Sequence, residues 1–406
     1  MITALELENF KGFADRQRIE FAPLTLLFGA NSAGKSTILQ ALLYLFELLE
    51  EGSADVDYTE LGGDVLELGG FAHLVHRHEQ ERTIAVRVEF ATPGALERFG
   101  RDLGDFPFPS LDDEIESAWL ELTIRIRTTP AFRGPLVDRA VIGVNNDREP
   151  LVWLETGASL KEGEPLHVRV NLGHPILAEA VGRQQRSLFP SDTYADVTDA
   201  WEQIAIPEGD LRKMRATDGN GPEVEPASVA LPDGSGFGDG RSLPVFAIGR
   251  TRLSALPMLG EPLRVIPCGD DSSENAETLA QVRIFLEMIV LGTTVQLASF
   301  LRGAMYIGPL RTIPPRGFLY ERAGCVRSWA NGLAAWDLLL SDRLTLVERT
   351  NHWLRRLGAD CQIVVQQLFD PRADAEHLSD DCSLIRGLAH LSSHPKWARA
   401  FLKSFQ

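Results

Sequence analysis

Between Gly29 and Ser36 the chain reads Gly-Ala-Asn-Ser-Ala-Gly-Lys-Ser, which fits G-x-x-x-x-G-K-[ST] without a mismatch. The pattern constrains the fold because its chemistry works only between a strand and a helix. Small residues let successive backbone N–H groups turn inward into an anion-binding nest, and the helix that follows adds the positive end of its dipole. Lys35 can then reach the β- and γ-phosphates, and the Ser36 hydroxyl can complete the shell of a Mg²⁺ ion. Both flanks have the required character. Leu24 to Phe28 is a continuous apolar run of the sort found in a strand covered on both faces. Ser36 to Glu50 is apolar on nearly every side, as a buried helix would be, with Gly52 beyond it as a stop signal. The candidate nucleotide-binding residues are therefore Gly29, Ala30, Asn31, Ser32, Ala33, Gly34, Lys35, Ser36 and Thr37, with ATP and Mg²⁺ as cofactors and Ser36 as the metal ligand.

Two short strands are expected ahead of this unit, over Met1 to Phe10 and Arg18 to Phe21, joined by a turn at Lys11-Gly12. From Thr83 the pattern changes to period two, in TIAVRVEF, WLELTIRIR from Trp119, RAVIGV from Arg139, LVWLE from Leu151 and LHVRVNL from Leu166. Such alternation implies an antiparallel sheet with one wet face. Gly173 to Met214 reads as helical, and the Gly-, Pro- and Asp-rich stretch near 216–243 as a mobile surface loop. A long helix is expected from Ala276 to about Arg302, with apolar residues at helical spacing. Beyond it lie a strand-like AMYIG (Ala304 to Gly308), helices around Ala334 to Leu340 and Leu346 to Leu357, and a strand-like CQIVVQQLF from Cys361.

The formal net charge of -17 over 406 residues opposes indiscriminate binding to nucleic acid or to an anionic membrane. Any DNA contact would have to come from a local basic patch, and the candidates are Arg311 to Arg327 and Arg349 to Arg356. No apolar run approaches the ~20 residues that span a bilayer, so the expectation is a cytoplasmic protein with no membrane partner. The four cysteines, Cys268, Cys325, Cys361 and Cys382, lack C-x-x-C spacing and read as ordinary thiols.

The stretches LELENFKGF (Leu5 to Phe13) and PLTLLFGANSAGKSTILQAL (Pro23 to Leu42) resemble the N-terminal lobe of the RecF/SMC-like branch of ABC-type ATPases, also called AAA family ATPases. The closer likeness is to stand-alone bacterial members without long coiled-coil arms. LGGFAHLVHRHEQERTIAVRVEF (Leu68 to Phe90) and YIGPLRTIPPRGF (Tyr306 to Phe318) extend it. The resemblance implies an α/β fold, a P-loop NTPase head of ABC type with an antiparallel β subdomain and a helical insertion. It divides the chain into an N-terminal ATPase lobe at 1–172, a helical insertion at 173–303 and a partial C-terminal lobe at 304–406. It also implies a homodimer that sandwiches ATP·Mg²⁺ between two heads, and coupling to DNA or to an effector protein, as in DNA repair or anti-phage defence.

The resemblance further implies a strand ending in Asp-Glu or Glu, C-terminal to the Tyr306 region, whose carboxylates hold Mg²⁺ and orient the attacking water. After Phe369 no apolar run ends in a carboxylate pair, and the expectation is a chain that lacks the C-terminal carboxylate-bearing (Walker B) part, with truncation, frameshift and a non-hydrolysing protein all left open. Substitutes are poor. Leu151 to Glu155 lacks the Asp and lies in the alternating sheet, and Asp380-Asp381 follows no strand. Gly234 to Gly238 is similar to a signature segment but precedes the Tyr306 region. His390 to Trp397 is similar to the segment that follows the catalytic Glu in relatives, and equally to a capped terminal helix. The loop that usually supplies a Gln matches Gly69 to His73, while Gln80 falls late, in a turn before the next strand. His73, His76 and His78, in a polar loop without a cysteine partner, read as solvated rather than metal-binding. Two further readings stay open: an ATP-binding scaffold subunit that does not hydrolyse, and a kinase or GTPase. Against the last stand the absence of an N-K-x-D motif, the chain length and the antiparallel insertion.

Overall fold

Alternation along the period-two segments carries directly into one antiparallel sheet. In the computed structural model, residues 1–30, 34–55, 68–104, 115–130, 132–145, 149–157, 160, 165–177, 205–206, 245–249, 253–266, 276–308, 329–330, 332–341 and 345–364 are described. They fall in two units, one of Met1–Arg311 with Cys325–Gly332 and the other of Thr312–Gly324 with Leu333–Gln406.

Among the described residues the larger unit holds nine strands: β1 (Ile2–Glu8), β2 (Gln17–Glu20), β3 (Ile84–Ala91), β4 (Ser117–Thr128), β5 (Arg133–Val144), β6 (Val152–Glu155), β7 (Leu166–Val170), β8 (Val245–Gly249) and β9 (Arg264–Ile266). Their order is β2-β1-β3-β4-β5-β6-β7-β8-β9, and every pairing is antiparallel. Inward positions such as Leu5, Leu7, Val86, Val88, Leu120 and Leu122 are fully buried. Outward positions carry matched charges: Arg16 bonds Glu8 and Glu121, and Arg18 bonds Glu6 and Glu89. That outer face is not uniformly wet. Trp119, Val141 and Trp153 form a second buried cluster on it. The indole of Trp119 lies over Gly143, its partner in the β4–β5 ladder, and the Arg87 guanidinium sits 3.8 Å from the ring centroid.

Helical elements cover the inner face. Helix α1 (Lys35–Glu51) buries Ile38, Ala41, Tyr44, Leu45, Leu48 and Leu49, and ends where Gly52 adopts a left-handed φ of 65° and its N–H reaches the Leu48 carbonyl. Helix α2 (Gly70–Leu74) is a short turn, and α3 (Ala95–Leu103) follows β3. The expected long helix is present as α4 (Ala276–Leu286), a π-helical segment (Glu287–Leu291) and α5 (Gly292–Arg302). The buried Glu287 accepts a hydrogen bond from the Leu263 N–H, tying this element to the segment before β9. Gly100 of α3 faces Met288 so closely that a Cβ would lie 2.9 Å from its sulfur. The span Thr278–Arg302 is long and apolar enough to cross a membrane, contrary to the sequence expectation. Its most apolar window is 78% buried within the protein, the environment of a core helix.

The smaller unit contributes α6 (Leu333–Ser341) and α7 (Thr345–Arg356). Three expected strands are not strands among the described residues. Leu24 to Phe28 joins no ladder; Leu27 packs on the core, but Leu24, Leu26 and Phe28 are 78%, 64% and 86% exposed. A strand buried on two faces needs neighbours in register, and the nine-stranded sheet does not extend to this segment. At Ala304 to Gly308 the chain closes the preceding helix, the Ala304 N–H bonding the Leu301 carbonyl. Of the strand expected from Cys361 to Phe369 only residues 361–364 are described, the rest lying outside the described residues; there the Asn351 side chain takes both the N–H and the C=O of Ile363, the groups a ladder would use. Strands β8 and β9, within 173–303, were not marked by the sequence pattern. Most of the segment read as helical at Gly173 to Met214, and the whole loop at 216–243, lie outside the described residues.

Candidate functional site

Gly34 stands at the entrance of α1 with φ 87°, a left-handed conformation that favours glycine. A Cβ there would come into ordinary contact with the Phe13 ring, at 3.4 Å. The carbonyl of Gly34 accepts from the N–H groups of Thr37 and Ile38, which starts the helix. Among the described residues no side chain caps this helix, and no acidic residue occupies its first turn. The leading N–H groups and the positive end of the dipole are thus left to an external anion. Lys35 is folded over its own loop, its Nζ donating to the carbonyls of Gly29 (2.8 Å) and Ala30 (2.6 Å). Ser36 is exposed in the first helical turn. Asn31, Ser32 and Ala33 lie outside the described residues, so the structure brings together Gly29, Ala30, Gly34, Lys35, Ser36 and Thr37 of the expected set.

The donor set fits the implied cofactors. Uncapped N–H groups and one ammonium suit a polyphosphate. One exposed hydroxyl suits Mg²⁺, which keeps several waters and takes few protein ligands.

A buttress that sequence reasoning credited only to family likeness lies beneath the loop. The turn after β1 places Phe13 against Gly34, and this turn is clamped to α2 and the residues after it. Lys11 N–H donates to the Leu74 carbonyl (2.6 Å), His76 N–H to the Asn9 carbonyl (2.9 Å), and His76 Nδ1 to the Lys11 carbonyl (2.8 Å). Burial of the Lys11 amine holds its pKa below the usual lysine range. The positive φ of Lys11, 49°, marks how tight the turn is. The run Asn9-Phe10-Lys11-Gly12 was the available signal, because Asn and Gly flank such turns.

The remaining sequence candidates are placed as follows. His73 and His78 meet edge to face with ring centroids 4.9 Å apart, and His78 Nδ1 donates to the Ala72 carbonyl. Among the described residues no group of three or more His, Cys, Asp or Glu is arranged to hold a metal. Gln80 lies in the turn before β3. Glu155 ends β6 inside the sheet, where Arg139 (3.4 Å) and Arg169 (3.5 Å) pair with its carboxylate. Gly234 to Gly238, Arg311 to Arg327, Asp380-Asp381 and His390 to Trp397 lie outside the described residues.

No curated protein matches the chain. Residues 1–93, from β1 through β3 and including the phosphate loop with its buttress, match the family model of the AAA ATPase domain, which supports an ATP-binding ATPase of AAA type.

Proposed function

We propose that the chain is an ATP-binding head of the RecF/SMC-like kind, which forms a homodimer around ATP·Mg²⁺ and couples nucleotide binding or hydrolysis to DNA or to an effector protein. The observation that carries this reading is the uncapped start of α1, headed by left-handed Gly34 and followed by Lys35 and Ser36. In use, the leading N–H groups of α1 grip the terminal phosphates, and Lys35 exchanges the carbonyls of Gly29 and Ala30 for phosphate oxygens. Ser36 would hold the Mg²⁺, which when bound neutralises charge on the phosphates. Phe13 and the Lys11 turn hold the loop from below.

The test is binding of labelled ATP in the presence of Mg²⁺. Removing a charged hydrogen-bonding group costs about 1.5–3 kcal/mol, so Lys35→Ala should weaken ATP by about ten- to a hundredfold. Absence of binding, or binding that Lys35→Ala leaves unchanged, refutes the reading.

A second reading, an ATP-binding scaffold subunit that does not hydrolyse, is favoured by Glu155. This carboxylate, which ends an apolar run, is engaged by two arginines within the sheet. A turnover assay separates the two readings, since a rate abolished by Lys35→Ala excludes the scaffold.

A further inference from the structure

Helix α7 of the smaller unit turns Val347 inward, with Leu346 and Leu354 half-buried beside it, and exposes the other side. On that exposed side Arg349, His352, Trp353 and Arg356 recur at i, i+3, i+4 and i+7, so they form one stripe. The stripe contains no carboxylate. Glu348, the helix's one acidic residue, falls off its edge by the helical repeat. Trp353 is 53% exposed. The Arg356 guanidinium lies 4.8 Å from its ring centroid, and the His352 ring meets it edge-on at 6.1 Å.

In a chain of net charge -17, Arg16, Arg18, Arg125, Arg127, Arg139 and Arg169 each ion-pair with a carboxylate, while Arg98, Arg264 and Arg283 have no such pair among the described residues. Among the described residues no carboxylate pairs with Arg349 or Arg356. The aromatic group beside them is also open to solvent, which a purely electrostatic surface does not require.

We infer that this stripe is a binding surface for single-stranded nucleic acid, with a base stacked on Trp353 and phosphates on Arg349 and Arg356. Base–aromatic stacking next to guanidinium groups is the usual physical basis of such surfaces. Seven residues of helix separate the two arginines by about 10 Å along the axis. A stacked strand, at about 3.4 Å per nucleotide, carries two to three phosphates over that length. An acidic peptide would satisfy the arginines but supplies no flat ring for the indole, and a duplex keeps its base faces internal. The inference deepens the proposed coupling to DNA. Its test needs no ATP, so loss of ATP binding would leave it standing.

The test uses the full chain and a fluorescent oligo-dT of about 20 nucleotides, read by anisotropy at low salt and through a salt titration. Trp353→Ala should weaken binding by at least about fivefold, while Trp353→Phe, which keeps a ring, retains most of it. The double variant Arg349→Gln/Arg356→Gln should weaken binding and flatten the log–log salt slope by about 1.4, the value for two single-strand phosphates. Arg355→Gln lies off the stripe and should stay within about twofold of the parent. Circular dichroism confirms that each variant keeps its helix. Failure of the parent to bind at low salt overturns the inference. So does equal binding by all variants, or binding of a hairpin duplex or of polyglutamate as tight as that of the oligonucleotide.

Discussion

Gly143→Ala tests the packing on the outer face of the sheet. Gly143 has ordinary extended backbone, so alanine introduces no conformational strain, and its effect is steric. The added Cβ would sit 2.3–2.4 Å from Cε2, Cζ2 and Nε1 of Trp119, well inside van der Waals contact. Trp119 is 2% exposed, and both strands under it are fixed by the β4–β5 ladder, which is in register from Ala118 to Thr123, so the ring must slide. Overpacking of this kind costs about 1–3 kcal/mol, and displacing the ring from Arg87 adds about 0.5–1 kcal/mol. The lower entropy of alanine in the unfolded chain returns about 0.4–1 kcal/mol. A net loss of about 1–3 kcal/mol is expected, read as a lower urea midpoint with unchanged slope. The decisive measurement is a double-mutant cycle with Trp119→Leu, which removes the clashing ring. In that background Gly143→Ala should be neutral or slightly stabilising, giving a coupling energy of about 2 kcal/mol. An equal cost in both backgrounds would refute the reasoning, because the penalty would then belong to the backbone.

Three further outcomes follow from other residues. Gly34→Ala places a side chain at φ 87°, where an L residue is strained, and should weaken ATP binding by at least about tenfold, measured by calorimetry. Tyr44→Phe removes the hydroxyl that donates to the Ala54 carbonyl at 2.8 Å and leaves that buried carbonyl unsatisfied; a loss of about 1–2 kcal/mol in urea denaturation is expected. Glu89 is held below the usual carboxylate range by its hydrogen bonds from Arg18, against opposing burial, with Arg87 assisting. The folded state therefore binds fewer protons than the unfolded state across that range, so this contribution is full above the unfolded pKa and is lost as pH falls through the lowered folded value. Glu89→Gln should destabilise at pH 7, and the gap to the parent should close in denaturation curves taken below about pH 4.

The parts of the fold legible in sequence were those with a repeating local signature. Period two from Thr83 to Leu172 corresponds to β3 through β7, and Gly52 ends α1. The start of α1 behind Gly34 was legible because the Gly-Lys-Ser motif demands a helix at that point. What escaped depends on neighbours distant in sequence. Strands β8 and β9 are five and three residues long and become strands only by extending the ladder from β7. The burial of Trp119 and Trp153 on a face expected to be wet depends on Gly143 making room across the ladder, which one strand's alternation does not reveal. Leu24 to Phe28 shows the opposite failure, since an apolar run records that a strand would tolerate burial but does not supply the strands that bury it.

That last segment bears on how ATP affinity should be interpreted. Among the described residues no main-chain hydrogen bond holds Leu24 to Phe28, which leads straight into Gly29. Its amides should exchange with solvent deuterium at nearly intrinsic rates until ATP fixes the far end of the loop. Ordering a residue costs about 1–2 kcal/mol, so any ordering of this stretch when ATP binds would offset part of the favourable contact with phosphate. A substitution that stiffened Leu24 to Phe28 would then tighten ATP binding through entropy alone, without altering any residue that meets the nucleotide.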